Sequence, residues 1–568
     1  MYTLDKIKIR LVKDINKALG EKAVTGSDLV FPPQANYGDL SLPCFTAAKK
    51  AKKTPVELAG WLVSHIPAKG YVAGIKAVGP YVNFTFAADK LAASVIKEIE
   101  TGKNEYGRNK DGGKGKVVIE YSNANTHKEY HIGHLRNISY GDAVNRILNA
   151  NGYKSIPVSY INDFGIHVAK TLWAYLEFYK KEKLPENLGF FLGKVYVRSV
   201  KELERNALGR ELVGFIMKKI ESRQGEEYEL WRKTRQWSID EFARIYGELG
   251  VVFKDIFYES EFIDRGKELV ANLYEKRFLK KSDGAIIADL ESYSLGALLF
   301  LRTDGTALYP VADIPLAEEK MKRYKPAKSI YVVDIRQSLY FRQLFKVLEL
   351  LGVKADMSHL GYEFVTLPEG MMSSRSGNVI TYRELRDRIF ERAKKETAER
   401  HPDWPAEKLE KTAMNLSVAA MKFEMIKVSA QQTITFDIDS ALRFEGFTAA
   451  YLQYTYARIR SILKKAGQEK SKQKADYRRL AEPKEQALIL QMARYPDIVK
   501  KAGTNYDPAE IAKYLYELAS QLNDYYHSSP VLKAEEEIRQ VRISLVTAVS
   551  QVLRNGLDLL GIEVMEEM

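Results

Sequence analysis

Two histidines that flank a glycine, His131-Ile-Gly-His134, follow a β-branched run and precede a stretch with helical periodicity. A helix N-terminus attracts phosphate, and imidazoles beside it can donate to phosphate oxygens as negative charge develops. Gly133 lets the backbone approach a planar ring closely. The motif therefore indicates a nucleotide site at the carboxyl end of a strand. Taken alone, such histidines are more often ordinary helix-start residues, and a zinc site including His127 and His167 is a further alternative.

The surrounding segment, from Glu120 to Asn137, narrows these alternatives. It resembles the first signature of class I aminoacyl-tRNA synthetases, and in particular of the arginyl family. The resemblance implies that Lys128, His131 and His134 are catalytic and that His131, Gly133 and His134 bind ATP. The matching residues are Glu120, Ser122, Asn125, Lys128, His131, Gly133, His134 and Arg136.

A pocket for arginine needs carboxylates, because a guanidinium carries five N–H donors and keeps its charge. The resemblance implies such a pocket after the Asp304-Gly-Thr306 turn, where Tyr309 and Asp313 are spaced for one helical face. In Asn162-Asp-Phe-Gly165, which resembles the family's x-D-x-G turn, His167 stands two residues on, where many members have glutamine. The residues that the resemblance assigns to arginine are Glu120, Asn125, Tyr309, Asp313 and Gln337.

A second signature departs from the usual class I sequence. The loop 371–377, Met-Met-Ser-Ser-Arg-Ser-Gly, lacks the two lysines of K-M-S-K-S but resembles the relaxed arginyl form. Lys128 would then supply the transition-state cation. A second departure is Tyr340, where the family commonly has histidine. The residues of this loop that we expect to bind ATP are Met372, Ser373, Ser374 and Arg375.

Aromatic and basic residues combine near the C-terminus. Aromatic faces can stack unpaired bases, and arginines can contact phosphates. Taken singly, these aromatic residues are more often core residues of a helical bundle. The resemblance to the arginyl anticodon-binding and N-terminal domains implies tRNA contacts by Asn36, Tyr451, Gln453, Tyr454 and Arg458.

These residues need elements to position them, and the hydrophobic pattern supplies alternating strands and helices. We expect a Rossmann-like doubly wound parallel sheet with a mixed α/β N-terminal unit and an all-helical C-terminal bundle. A helix is predicted from Leu42 to about Val63. The main predicted strands cover residues 117–121, 156–161, 297–302 and 329–333, and the main helices 131–150, 166–179 and 340–351.

Domain boundaries follow from these patterns and the resemblance. The N-terminal unit, expected to contact the tRNA elbow, covers residues 1–108, and the catalytic domain covers 109–385. A charged helical insertion occupies about 180–250. A helical connector then covers 386–435, and the anticodon-binding bundle covers 436–568.

Composition agrees with a polyanion-binding protein. The net charge is +13, and Cys44 is the only cysteine, which excludes an internal disulfide and disfavours zinc. The resemblance implies an arginine–tRNA ligase with L-arginine, ATP and tRNA(Arg) as partners, Mg²⁺ accompanying ATP, and no resident metal. We expect a cytoplasmic monomer without membrane segments. The alternatives are another class I synthetase, an inactive tRNA-binding paralogue and a small nucleotidylyltransferase.

Overall fold

The computed structural model describes residues 1–366, 368, 380–467 and 475–568. Its N-terminal unit packs four helices against an antiparallel sheet with the strand order β1-β3-β2. The elements are α1 (Thr3–Leu19), β1 (Leu40–Pro43), α2 (Phe45–Ala51), α3 (Pro55–His65), β2 (Val72–Val78), β3 (Tyr81–Phe86) and α4 (Ala88–Gly102).

The single helix predicted from Leu42 to about Val63 is wrong. Leu40 and Leu42 lie in a strand that pairs with β3, and both are fully buried. The helix that follows stops at Ala51, and a new one starts at Pro55, where proline lacks the N–H that a continuing helix needs. Thr54 accepts a hydrogen bond from the Glu57 amide, which caps this second helix.

The central sheet has five parallel strands in the order β11-β10-β4-β5-β6. From β4, the chain adds β5 and then β6 on one side of the sheet, and it later adds β10 and β11 on the other side. The topological switch point therefore lies between β4 and β10. Alternate residues of β4 enter two separate cores: Val117 and Ile119 pack on one face, and Val118 packs on the other. The predicted doubly wound fold is confirmed. The strands are β4 (Lys116–Glu120), β5 (Lys154–Ile161), β6 (Asp255–Tyr258), β10 (Lys328–Asp334) and β11 (Asp356–Tyr362).

The catalytic domain also contains an antiparallel sheet, which precedes β10 along the chain. It consists of β7 (Lys280–Ser282), β8 (Ala285–Asp289) and β9 (Ala297–Leu301). The strand predicted near residues 297–302 exists, but its expected place in the parallel sheet is wrong. The connection between β8 and β9 is too short for a parallel crossover, and the two strands therefore pair antiparallel.

Helices cover the catalytic sheet and form the insertion. The sheet helices are α5 (Ile132–Ala150), α6 (Ile166–Ala174), α10 (Ile263–Glu275), α11 (Tyr309–Tyr324) and α12 (Ser338–Leu350). The insertion is helical, as predicted, and contains α7 (Leu188–Leu203), α8 (Ala207–Glu221) and α9 (Gly225–Glu248).

Among the described residues, the C-terminal part is helical except for the short strand β13 (Ile434–Thr435). This strand pairs in parallel with β12 (Val365–Thr366), which precedes the second signature. The helices of the C-terminal part pack on α4 and α5, so the bundle touches both other units. They are α13 (Tyr382–Arg400), α14 (Ala406–Ile426), α15 (Ile438–Ala441), α16 (Ala449–Ala466), α17 (Pro483–Asn505), α18 (Ala509–Ser528) and α19 (Glu536–Leu559).

Candidate active site

The two histidines of the first signature cap the helix α5. The amide of Gly133 donates to His131 Nδ1 at 3.1 Å, and the amide of His131 donates to His134 Nδ1 at 3.1 Å. The rings stack with centroids 3.8 Å apart. A Cβ on residue 133 would lie 3.0 Å from the His131 ring, so glycine gives this stack its space. Because each Nδ1 accepts, each neutral ring carries its proton on Nε2 and can donate there.

Burial keeps both rings neutral at physiological pH. It lowers the pKa of His131 to about 4 and that of His134 well below the usual range, and the charge of Lys128 contributes to both shifts. Lys128 therefore lies near both imidazoles, with its ammonium 5.2 Å from the centre of the Tyr196 ring. The structure thus brings together the three residues that the sequence assigned to catalysis.

Buried carboxyl groups cluster at the carboxyl ends of the central strands, and we call this cluster the carboxylate pocket. Asp313 on α11 accepts a hydrogen bond from the Tyr340 hydroxyl through Oδ2. Its Oδ1 is buried beside the hydroxyl of Tyr160. Glu259, which follows β6, accepts from the Asn162 amide at 3.2 Å. Burial raises the pKa of Asp313 to about 7 and that of Glu259 to about 8. The negative charge of Glu120 raises the pKa of Asp313 further, and that of Asp313 raises the pKa of Glu259.

Glu120 already has a cationic partner. Lys320 Nζ lies 2.5 Å from its Oε2, and both side chains are almost fully buried. The Asn123 amide donates to Glu120 Oε1 at 3.0 Å. The predicted contact between Glu120 and the substrate would therefore involve a carboxylate that Lys320 has neutralised. The other two carboxyls, Asp313 and Glu259, have raised pKa values and are partly protonated near pH 7 in the absence of a cation.

The loop of the first signature, between β4 and α5, contacts the turn formed by residues 162–165. Asn125 forms an isolated parallel bridge with Asn162, and Gly165 adopts a φ of +115° where the turn enters α6. Asp163 in that turn is fully buried and accepts from Arg235 at 2.5 Å and from the Ser260 hydroxyl at 2.7 Å.

The insertion helix α9 also supports the signature loop. His127 is buried, its amide donates to the Ser238 hydroxyl at 2.9 Å, and its Nε2 lies 2.8 Å from the Thr234 hydroxyl. These neighbours explain the side chain without zinc. No group of three or more His, Cys, Asp or Glu side chains is arranged to hold a metal within the part of the chain that the structure describes.

Two other residues predicted to bind arginine, Tyr309 and Gln337, are exposed, and only Tyr309 contacts a residue of the carboxylate pocket. Tyr309 is 58% exposed, and its ring lies 6.4 Å from that of Tyr340. Gln337 is exposed just before α12. The residues of the second signature, Met372, Ser373, Ser374 and Arg375, lie outside the described residues. Nearby, the buried Arg136 donates to the carbonyls of Phe364 and Gln432, so α5 holds the strand that leads toward that signature.

The residues predicted to contact tRNA divide by exposure. Tyr451, Tyr454 and Arg458 are partly exposed on one face of α16, and the Arg458 guanidinium lies 4.6 Å from the Tyr526 ring centre. Gln453 is fully buried and donates to Asn415 and to the Glu563 carbonyl. Its side chain holds the bundle together in this structure. Asn36 is exposed in the N-terminal unit.

Three further residues belong to the site and were not predicted from the sequence: Glu259, Tyr160 and Lys320. Glu259 follows the short strand β6 directly, and a carboxylate at that strand end was the available signal. Lys320 lies seven residues after Asp313 on the same helix, which is two turns along one face. We find no comparable signal for Tyr160. No helix among the described residues combines the length and apolarity needed to cross a bilayer.

Comparisons with known proteins match every region of this architecture. The chain matches the family models "tRNA synthetases class I (R), catalytic domain" over residues 95–438, "DALR anticodon binding domain" over 452–568 and "Arginyl tRNA synthetase N terminal domain" over 5–86. It is 36% identical to an arginine–tRNA ligase of Bdellovibrio bacteriovorus, over 100% of both chains. An arginine–tRNA ligase of Halothermothrix orenii is 35% identical, with 94% of this chain and 95% of that protein covered.

Solved structures agree with the family models. The arginyl-tRNA synthetase of Thermus thermophilus superposes with a TM-score of 0.81 at 29% identity, covering 99% of this chain and 100% of that one. The Plasmodium falciparum enzyme, at 21% identity and a TM-score of 0.78, shares the fold. With full-length relatives at 35–36% identity and three matching domains, the chain belongs to the arginyl-tRNA synthetase family of class I synthetases.

Proposed function

We propose that the chain is an arginine–tRNA ligase. The arginine carboxylate attacks the α-phosphorus of ATP in line, and the bond to pyrophosphate breaks. The 3′-terminal ribose hydroxyl of tRNA(Arg) then attacks the adenylate carbonyl and releases AMP. The observation that carries this proposal is the joint placement of a capped, neutral histidine pair and a buried two-carboxylate pocket at one end of the sheet.

The histidine pair suits ATP. Both rings offer Nε2 donors at the N-terminus of α5, where the helix dipole also favours phosphate. Neutral N–H donors can stabilise negative charge as it develops on the phosphate oxygens. They bind the product less tightly than a fixed cation would. Lys128 supplies the positive charge beside them. Ser373, Ser374 and Arg375 of the second signature would complete the phosphate contacts, with Met372 against the nucleotide.

The carboxylate pocket suits the guanidinium. Tyr340 donates to one oxygen of Asp313, and the other oxygen lies beside the Tyr160 hydroxyl, where it can accept an N–H of the substrate. Glu259 can accept an N–H group from the other side of the substrate guanidinium. Lysine or citrulline would leave one of these buried acceptors unsatisfied, which gives discrimination. Tyr309, Asn125 and Gln337 would also contact the substrate.

Magnesium would accompany ATP and pyrophosphate. Mg²⁺ usually takes a few carboxylate and phosphate oxygens and retains several waters. Tyr451, Tyr454 and Arg458 would contact the anticodon side of the tRNA, and Asn36 its elbow.

The proposal includes a monomeric enzyme of the cytoplasm. The three matched domains lie in one chain, and its single cysteine, Cys44, cannot form an internal disulfide, which supports this part of the proposal.

The deciding experiment is aminoacylation of tRNA(Arg) with each of the twenty amino acids, using ATP and magnesium. Arginine alone should be charged, and pyrophosphate exchange with tRNA present should depend on arginine. Charging of another amino acid would indicate a different class I specificity. No charging, with tRNA still bound, would indicate an inactive binding paralogue.

A further inference from the structure

A fully buried lysine lies beside the pocket that we expect to bind the substrate cation. Lys320 is on α11, two turns after Asp313, and its side chain is 0% exposed. Its Nζ lies 2.5 Å from Glu120 Oε2. A positive charge at this place repels another cation, so by itself it disfavours arginine. The lysine must therefore serve a group other than the substrate.

The surroundings of Lys320 keep it charged. Burial by itself would lower the pKa of the ammonium, but the negative charge of Glu120 outweighs that effect and raises the pKa above its usual value. The ammonium also lies 4.2 Å from the centre of the Tyr331 ring on β10, and such a contact favours the charged form. Lys320 is therefore a cation at neutral pH.

A series of contacts links Lys320 with Asp313 through the ends of two strands. Glu120, which ends β4, accepts from Lys320 through one oxygen and from the Asn123 amide through the other, at 3.0 Å. The side-chain carbonyl of Asn123 accepts from the backbone N–H of Tyr160 at 3.2 Å. The Tyr160 hydroxyl lies beside Asp313, which shares α11 with Lys320. The position of the Glu120 carboxylate therefore depends on Lys320.

The charge of Lys320 also acts on Asp313. Burial raises the pKa of Asp313 most, and the negative charge of Glu120 raises it further, whereas the positive charge of Lys320 lowers it. Asp313 in turn raises the pKa of Glu259. Lys320 therefore offsets, at Asp313, the effect of the carboxylate with which it is paired.

The groups that face Asp313 come from several elements. The titratable and charged ones are Glu120 on β4, Tyr160 on β5, Glu259 after β6, Tyr309 and Lys320 on α11, and Tyr340 on α12. Of these groups, Lys320 alone carries a positive charge. A guanidinium supplies only one more, whereas the pocket has three carboxyls to balance.

We propose that Lys320 is a positioning residue of the arginine site. Its ammonium holds the Glu120 carboxylate in place, and as a fixed internal counter-ion it lets Asp313 meet the guanidinium as a carboxylate at neutral pH. The inference rests on the proposed function and adds a residue that does not itself touch the substrate. An uncharged side chain of similar length would fill the same space without this effect, which makes methionine the informative substitution.

Two single variants and their combination test the role of the charge. The dissociation constant of arginine is measured from pH 6 to 9 for the wild type, Lys320→Met, Glu120→Gln and Lys320→Met/Glu120→Gln. We expect Lys320→Met to weaken binding at pH 7 about tenfold or more and to move the acidic limb of the profile to higher pH, because Glu120 then acts on Asp313 unopposed. Glu120→Gln should move the limb to lower pH. The double variant should return it close to the wild-type position.

Lys322→Met, on the exposed side of the same helix, is the matched control and should change neither the affinity nor the profile. If Lys320→Met does not fold, the other two variants decide, because the limb of the double variant must lie at higher pH than that of Glu120→Gln. An unmoved limb in Lys320→Met, or shifts of the same sign in both single variants, would show a packing role and overturn the proposal. If the wild type neither binds nor charges arginine, the proposed function itself is wrong, and the two failures are therefore distinguishable.

Discussion

Burial shifts the pKa values of the histidine pair and of the carboxylate pocket in opposite directions. Burial lowers the pKa of His131 to about 4, whereas it raises the pKa of Asp313 to about 7 and of Glu259 to about 8. Both effects arise because a low-dielectric surrounding disfavours the charged form. One side of the site therefore offers neutral donors to an anion, and the other holds carboxyls near their titration point for a cation.

Substitutions in the carboxylate pocket and in the histidine pair should therefore have different kinetic effects. Changes in the carboxylate pocket should affect arginine affinity, and changes in the histidine pair should affect the rate of adenylate formation. Substitutions in the two parts of the site should therefore give distinguishable kinetics.

Asp313→Asn should lower kcat/KM for arginine by about 10³-fold or more. The change removes a buried charge and turns part of the acceptor pair into a donor facing the guanidinium. Steady-state charging at varied arginine concentration measures the effect. Glu318→Gln, on the same helix but at its exposed face, is the matched control. A normal KM in Asp313→Asn would place the guanidinium elsewhere.

His134→Ala should lower kcat of adenylate formation by about 10²–10³-fold, as removal of a preorganised donor does in other enzymes. The KM for arginine should change little, because the ring faces the nucleotide side. Pyrophosphate exchange with tRNA present gives both parameters. His65→Ala, on α3 of the N-terminal unit, serves as control. A rise in KM for arginine without a fall in kcat would contradict the assignment.

Arginine affinity should fall about tenfold between pH 8 and 7, where Glu259 gains a proton, and more steeply below pH 7, where Asp313 gains one too. A pKa of about 7 for Asp313 means that its carboxyl gains a proton as pH falls, and a neutral carboxyl cannot pair with a guanidinium. Binding near pH 7 should consequently release protons. Calorimetry in buffers of different ionisation enthalpy measures both quantities, and Asp313→Asn should flatten the profile. A dissociation constant that is constant from pH 6 to 8 would argue against the shifted carboxyls.

Tyr340→Phe should weaken arginine binding about tenfold, since a hydrogen bond to a charged group contributes ~1.5–3 kcal/mol. The Tyr340 hydroxyl donates to Asp313 and lowers its pKa, so its loss should also move the acidic limb of the pH profile upward. Phe341→Leu, beside it on α12, controls for packing. A weaker affinity with an unmoved pH profile would show a steric role.

Contiguous patterns in the sequence predicted much of the fold and part of the site. The first signature was recognisable because His131, Gly133 and His134 lie within one turn of α5. The parallel strands followed from β-branched runs that are buried on both faces. The placement of β9 did not follow, because strand pairing depends on which partner lies nearby, and alternation alone does not specify the partner.

The sequence by itself determined the chemical types: imidazoles at a helix start, carboxylates on α11 and a chain with surplus positive charge. The tertiary structure decided which of them meet. It paired Glu120 with Lys320, 200 residues away, and brought Glu259 beside Asp313. It also placed α9 beneath the signature loop. The physical reason is that burial and long-range contacts set both pKa values and ion pairing, and neither can be read from spacing along the chain.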